Sequence, residues 1–209
     1  MRASNPTGNS NDKGQERAYL MEQIVSKENM TRAYKRVLSN RGAPGVDGLE
    51  VDELKDYLAQ HWSSIKTALL DGSYSPSPVK QVAIKKSGGG DRLLGIPTVT
   101  DRLIQQGIHQ IINPIYDPQF SEWSYGFREG RNAQQAVEQS KLYIQSGKRW
   151  VVDMDLSKFF DEVHHDRLLS KLRNQIRDRR VIHLIDRYLR SGIMVSGIEE
   201  KRVKGTPQG

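Results

Sequence analysis

The sequence contains no cysteine. That excludes a disulfide framework and a thiolate metal centre, and it suits a reducing cytoplasm. No apolar run approaches the roughly 20 residues of a membrane-spanning helix, so no membrane span is expected. Residues 1–15, MRASNPTGNSNDKGQ, are polar and rich in Asn, Ser and Gly. They lack the apolar centre of a secretory signal and read as disordered. Aromatic residues make up only 7% of the chain and apolar residues 36%, enough for a core but not a greasy one. There is no internal repeat and no long low-complexity tract. What the chain has in excess is positive charge. Its net charge is +7 and its pI about 9.6. A polyanionic partner follows, nucleic acid first and an anionic membrane surface second. At 209 residues the chain forms one domain or two small ones.

Apolar spacing predicts helices through Met30, Ala33, Tyr34, Val37 and Leu38, and again through Leu54, Leu58, Trp62, Ile65 and Leu69. The stretch NRGAPGVDG (40–48) between them must be a loop. Asp71-Gly72 closes the second helix. Val79–Pro97 reads as a hairpin turning on three glycines. Thr100 can cap the next helix, with Pro114 kinking or ending it. Asn132 can cap a helix running to about Ser146. Trp150–Asp153 reads as a strand, and two helical stripes follow, Leu168 to Ile176 and Val181 to Leu189. A short hairpin, Ile193–Val203, leads into KGTPQG. The chain stops within that Gly/Pro loop, which is the expected look of a truncated domain.

Four groups of residues can carry chemistry. Asp153 and Asp155 fall on one face of the predicted strand. Paired carboxylates there either hold a hard divalent cation or form a salt-bridged surface pair, and spacing leaves both open. Lys85, Lys86 and Arg92 flank the glycine turn. They can close on a polyphosphate or stand as ordinary solvated cations. SYGFREGRNAQQAV (124–137) places Arg128 and Arg131 with two aromatics before a helix start. That suits phosphate binding and base stacking, or else a loop plug with Tyr125 and Phe127 in the core. Arg173, Arg177 and Arg180 belong to a basic face running from Lys171 to Arg190. It reads as a phosphate-backbone footprint or a solvated helix face. His109, His164, His165 and His183 lack metal-ligand spacing.

In order, the blocks NMTRAYKRVLSNRGAPGVDG (29–48), KKSGGGDRLLGIPTVTDRLIQQ (85–106), SYGFREGRNAQQAV (124–137), VVDMDLSKFFDEVHHDRL (151–168) and KGTPQG (204–209) resemble the N-terminal blocks of bacterial group II intron-encoded reverse transcriptases, or maturases. The resemblance covers roughly residues 20–209. It implies an α+β right-hand polymerase: a mostly helical fingers region with a β-hairpin over 16–148, then a truncated palm with an antiparallel sheet over 149–209. Asp155 matches the first catalytic aspartate, which binds metal together with the backbone carbonyl of Leu156. The implied cofactor is Mg²⁺, with Mn²⁺ able to replace it. Phe160 matches the gate that senses the sugar 2′-hydroxyl. Lys86 and Arg92 match the residues that grip the incoming deoxynucleoside triphosphate. Gln208 would lie near the nucleotide or template. Asp153 matches a position outside the metal-binding set, so the carboxylate face becomes one ligand and one structural partner. Arg128, Arg131, Arg173, Arg177 and Arg180 would then meet RNA.

The implied partners are intron RNA, an RNA template with its DNA primer, and deoxynucleotides, in the cytoplasm of a bacterium. The chain departs from the pattern in having Arg92-Leu93-Leu94-Gly95 where Arg-Pro-Leu-Gly is frequent, and Glu129 where proline is frequent. The family's Tyr-Ala-Asp-Asp block, thumb and maturase domain would follow Gly209, so the 209-residue chain alone is expected to be inactive. A truncated palm would expose strand edges, and a homodimer is expected from that. Two rival readings are a non-catalytic RNA-binding module that assists splicing, and a retron-type enzyme. GAPGVDG and FREGR argue against the second.

Overall fold

Helices form where apolar residues recur every three to four positions and a polar side chain caps the first turn. The computed structural model describes residues 19–85, 89–195 and 197–206. A short helix α1 (Leu20–Ile24) precedes α2 (Lys27–Asn40). The Ser26 hydroxyl accepts from the Asn29 amide at 3.3 Å and caps α2. A single 3₁₀ turn, Val51–Glu53, then leads into α3 (Leu54–Asp71), which ends at left-handed Gly72 as its sequence predicts. Met30, Ala33, Val37, Val51, Leu54, Val99 and Leu103 form one buried cluster, covered by Tyr34, Leu38, Leu58 and Trp62. Each fully buried leucine there contributes roughly 2–3 kcal/mol of transfer free energy.

The loop between α2 and α3 is docked rather than free. A Cβ on Gly45 would lie 2.6 Å from the Thr98 Cα and 2.7 Å from its amide nitrogen, so only glycine permits this approach. Arg102 Nη2 donates to the Ala43 carbonyl at 2.9 Å and holds the loop there.

The predicted hairpin is present. Strand β1 (Val79–Lys85) pairs antiparallel with β2 (Asp91–Ile96), with Ile84 opposite Arg92. Helix α4 (Val99–Tyr116) follows, and Pro114 falls in its last turn without stopping it earlier. The cap is Thr98 rather than the expected Thr100: its hydroxyl accepts from the Asp101 amide at 3.1 Å. Helix α5 (Ala133–Gln145) starts at Asn132 with a reciprocal Asn132–Gln135 capping box, as the sequence predicts. Helices α6 (His165–Arg173) and α7 (Arg179–Arg190) precede short strands β3 (Ile193–Val195) and β4 (Ile198–Glu200).

The sheet differs from expectation in two ways. Its order is β2-β1-β3-β4, and β1 joins β3 in parallel, Val79 opposite Ile193. Both hairpins are antiparallel, but together they make one mixed sheet instead of a separate antiparallel palm sheet. The expected strand Trp150–Asp153 does not form. Trp150 and Val151 are 96% and 86% exposed, and the segment has no regular secondary structure. Alternating apolar residues favour a strand only where a partner strand supplies hydrogen bonds and a surface to pack on. The described chain forms two compact units. One unit comprises the described residues to Ile111 together with those from Lys158 onward, and the other is Ile112–Ser157. No helix among the described residues is long and apolar enough to cross a membrane.

In the larger unit one buried carboxylate gathers several elements. Asp101 accepts from Tyr74 Oη at 2.8 Å, Tyr188 Oη at 3.0 Å, Thr98 Oγ1 at 2.8 Å and the Ser77 amide at 3.1 Å. Burial pushes its carboxyl above the ordinary range, against the hydrogen bonds that favour the ionised form. Asp101→Ala would strand several buried donors at once and is expected to cost about 3 kcal/mol. Urea denaturation checks this, with exposed Asp153→Ala as the comparison that shifts stability by less than about 0.5 kcal/mol.

Candidate active site

The turn that follows Ser157 is built from an unusual backbone. Lys158 takes the left-handed conformation at φ 53°, and a 3₁₀ turn, Phe159–Glu162, follows. Phe160 is 46% exposed and packs edge-on against Phe159, with ring centroids 5.4 Å apart. A strap from the far end of the chain holds this turn. The Gly205 amide donates to the Val163 carbonyl and the Thr206 amide to the Phe160 carbonyl, both at 2.8 Å. Lys204 Nζ pairs with Glu162 at 2.7 Å. His165 Nε2 lies 2.7 Å from the Gly205 carbonyl oxygen. A carbonyl can only accept, so Nε2 carries the proton. A Cβ on Gly205 would come within 2.8 Å of the Asp161 carbonyl, so the strap passes only as glycine.

Beside this turn lies a cavity of about 450 Å³. Arg92 and Leu94 of β2, Lys158 and Asp161 from either side of Phe160, and Arg202 beyond β4 all line it. Positions far apart in sequence are thus brought together: Arg92 shares its cavity with the residues that flank Phe160. Burial pulls the Arg202 guanidinium below its usual range, and the Asp161 charge opposes that shift. Neither Arg202 nor Lys158 is distinguished in the sequence. A lone arginine after a short strand carries no periodic or motif signal.

Asp155 and Leu156 belong to the smaller unit, in a segment with no regular secondary structure, and both are exposed. A carboxylate and a carbonyl are oxygen donors of the kind a hard divalent cation takes. Among the described residues no group of three or more acidic or imidazole side chains is assembled around a metal. Asp155 and Leu156 therefore fit part of a metal shell. Lys86 and Gln208 lie outside the described residues.

The five arginines predicted to meet RNA fall into two groups. Arg128 is a loop clamp: its Nε and Nη2 grip Asp117 at 2.8 and 3.0 Å, and Nη1 donates to the Ser121 carbonyl at 2.8 Å. Its side chain is only 9% exposed. Arg180 is also committed internally, forming a two-pronged pair with Glu22 at 2.7 Å and a further pair with Asp178 at 2.9 Å. Both guanidinium groups are held by acidic side chains of the same chain. Arg131 stacks over Tyr125, 5.5 Å from the ring centroid, and donates to the Glu122 carbonyl. Phe127 is fully exposed, not a core plug. Arg173 and Arg177 remain exposed and share a second cavity of about 420 Å³ with Arg179 and His183.

The reverse transcriptase (RNA-dependent DNA polymerase) family matches residues 84–209. The chain is 36% identical over 196 residues to Protein YkfC of Escherichia coli K12, covering 91% of this chain and 51% of that protein. It is 35% identical over 178 residues to the group II intron-encoded protein LtrA of Lactococcus lactis, covering 85% of this chain and 29% of that protein. It thus spans about half of the first and less than a third of the second. Among solved structures, a chain of a partial Cas6-RT-Cas1–Cas2 complex superposes with a TM-score of 0.59 over 91% of this chain and 31% of that one, at 21% identity. That likeness speaks for the fold alone.

The Glu22–Arg180–Asp178 cluster gives a pH-dependent test. Burial raises the Asp178 carboxyl, but hydrogen bonds from Arg180 and the Met21 amide outweigh it and leave it below the ordinary range. The hydrogen bond from Arg180 lowers Glu22 as well. Carboxyls depressed on folding contribute stability that is fully present above their unfolded pKa, near 4, and lost as pH falls through the folded values. Arg180→Ala should therefore cost roughly 2 kcal/mol at neutral pH, the partly exposed pair with Glu22 counting for little of it. It should also flatten the acid limb of stability against pH, followed by urea denaturation between about pH 2 and 7. An acid limb as steep as that of the unsubstituted chain would place the cluster outside the stability balance.

Proposed function

Because this chain belongs to the reverse transcriptase family, we propose that it forms the nucleotide-gripping and first-carboxylate part of an RNA-directed DNA polymerase of the group II intron type, acting in a bacterial cytoplasm. The observation that carries this reading is the shared cavity. Arg92 from one hairpin meets Lys158 and Asp161, which bracket Phe160. A triphosphate held by Arg92 would bring its sugar within reach of the Phe160 ring. Arg92 supplies charge-assisted, two-pronged hydrogen bonds to phosphate oxygens. Phe160 fills the space that a ribose 2′-hydroxyl would need. Lys86 and Gln208 would add contacts to the triphosphate and to the nucleotide or template. The Asp155 carboxylate and the Leu156 carbonyl would hold Mg²⁺. When bound, that ion supplies activation of the primer 3′-oxygen and neutralisation of the leaving pyrophosphate.

Intron RNA binding is the second role proposed, and it rests on a different observation. Arg173, Arg177 and Arg179 line one cavity and make no ion pair among the described residues. Exposed guanidinium groups of this kind neutralise backbone phosphates without reading sequence. This role would persist in a chain that does no chemistry.

Primer extension on an RNA template tests the polymerase reading, using a polymerase-competent protein that contains these residues. Asp155→Asn should reduce extension to background, and Phe160→Ala should raise ribonucleotide relative to deoxynucleotide incorporation. Undiminished extension by Asp155→Asn would sink the reading.

The RNA-binding role is tested on the 209-residue chain by filter binding across a salt series. Replacing Arg173, Arg177 and Arg179 together by Ala should lower the slope of log affinity against log salt by about 2–3. Arg180→Ala should leave it unchanged. A slope unaltered by the triple replacement would remove RNA from that cavity.

A further inference from the structure

Arg202 follows β4 and shares the Arg92 cavity. Its Nη1 is buried and has no hydrogen-bond partner among the described residues. A buried guanidinium N–H without an acceptor is costly, and proteins seldom keep one without a use. The side chain is not loosely placed. Two to four residues on, the chain is fastened to the Phe160 turn by Lys204–Glu162, Gly205–Val163 and Thr206–Phe160. The residues facing it are Arg92, Lys158, Asp91 and Asp161. Cations therefore outnumber carboxylates in the cavity, and they come from three separate stretches of chain. Three spread cationic groups suit an elongated anion with several charges better than a single carboxylate or orthophosphate.

We infer that Arg202 is a second guanidinium contact for the polyphosphate of the incoming nucleotide, acting beside Arg92. The inference rests on the nucleotide reading of this cavity. Neither the resemblance to intron-encoded enzymes nor any motif around residue 202 points to this side chain. Its Nη1 N–H would find its missing acceptor in a non-bridging phosphate oxygen. Arg202 would then complete a grip in which Arg92 approaches from the hairpin and Arg202 from the segment strapped to the gate turn.

Isothermal titration of inorganic tripolyphosphate into the 209-residue chain tests this without requiring turnover. Arg92→Ala and Arg202→Ala should each weaken binding about tenfold. Arg202→Lys should retain part of the affinity, and Arg202→Gln, polar but uncharged and shorter, should lose most of it. Exposed Lys66→Ala on α3 should bind as the unsubstituted chain does. Circular dichroism of each variant separates weakened binding from lost folding; if Arg202→Ala unfolds, Lys and Gln decide the question. Weakening by Arg92→Ala with no effect at 202 would overturn the inference and leave the nucleotide reading standing. Weakening at 202 with no effect at 92 would support an Arg202 anion site and overturn the Arg92 role. Tripolyphosphate binding no tighter than orthophosphate, or no binding at all, would overturn the inference in every form.

Discussion

A carboxylate buried at the start of α4 accepts hydrogen bonds from donors on three stretches of chain. Ser77 precedes β1 and Thr98 follows β2, so Asp101 ties together the two outer ends of the hairpin. Tyr74 brings in the turn after α3, and Tyr188 brings in α7. Hydrogen bonds to a buried charge are among the stronger ones, because the alternative is an unsolvated carboxylate. The hairpin is therefore clamped at its base. Arg92, opposite Ile84 near the other end, inherits its position from that clamp. The cavity it lines depends on a bond network that touches no residue of the cavity itself.

The arginines divide by the same logic of partners. Arg128 and Arg180 each meet an acidic group and finish their hydrogen bonding inside the chain. Arg173, Arg177 and Arg179 meet none among the described residues and stay exposed. A basic excess is thus partly spent on architecture, and only the remainder can serve a polyanion. One acidic partner of Arg180, Asp178, is two positions away; the other is Glu22, 158 positions away. No local reading of a charge run could find it.

Features set by neighbours along the chain are legible in the sequence, and those that need a distant partner are not. The stripe from Met30 to Leu38, the Asn132 cap and the glycine-turned hairpin depend on neighbours within a few residues, and all three are present. The strand at Trp150–Asp153 depends on a partner strand, and its alternation alone could not guarantee one. The Asp101 hub has one local trace, the capping-box spacing of Thr98 and Asp101. Phe160 and Arg92 were singled out through resemblance, and the fold brings the residues around them to one cavity. Lys158 and Arg202 have no such signal and reach the cavity only through the fold. The left-handed backbone at Lys158 in particular has no counterpart in composition or periodicity.

The close passage of Gly205 over the Asp161 carbonyl has a mechanical meaning. Two turns joined by a pair of short amide–carbonyl bonds, with no side chain to act as a spacer, share one set of degrees of freedom. Neither can tilt without carrying the other. Drift in the sequence of 204–206 is therefore transmitted to the Phe160 ring, and a replacement at Phe160 is felt in the strap. Variation at the two places should be inherited together, as a single heritable part, rather than accumulate independently.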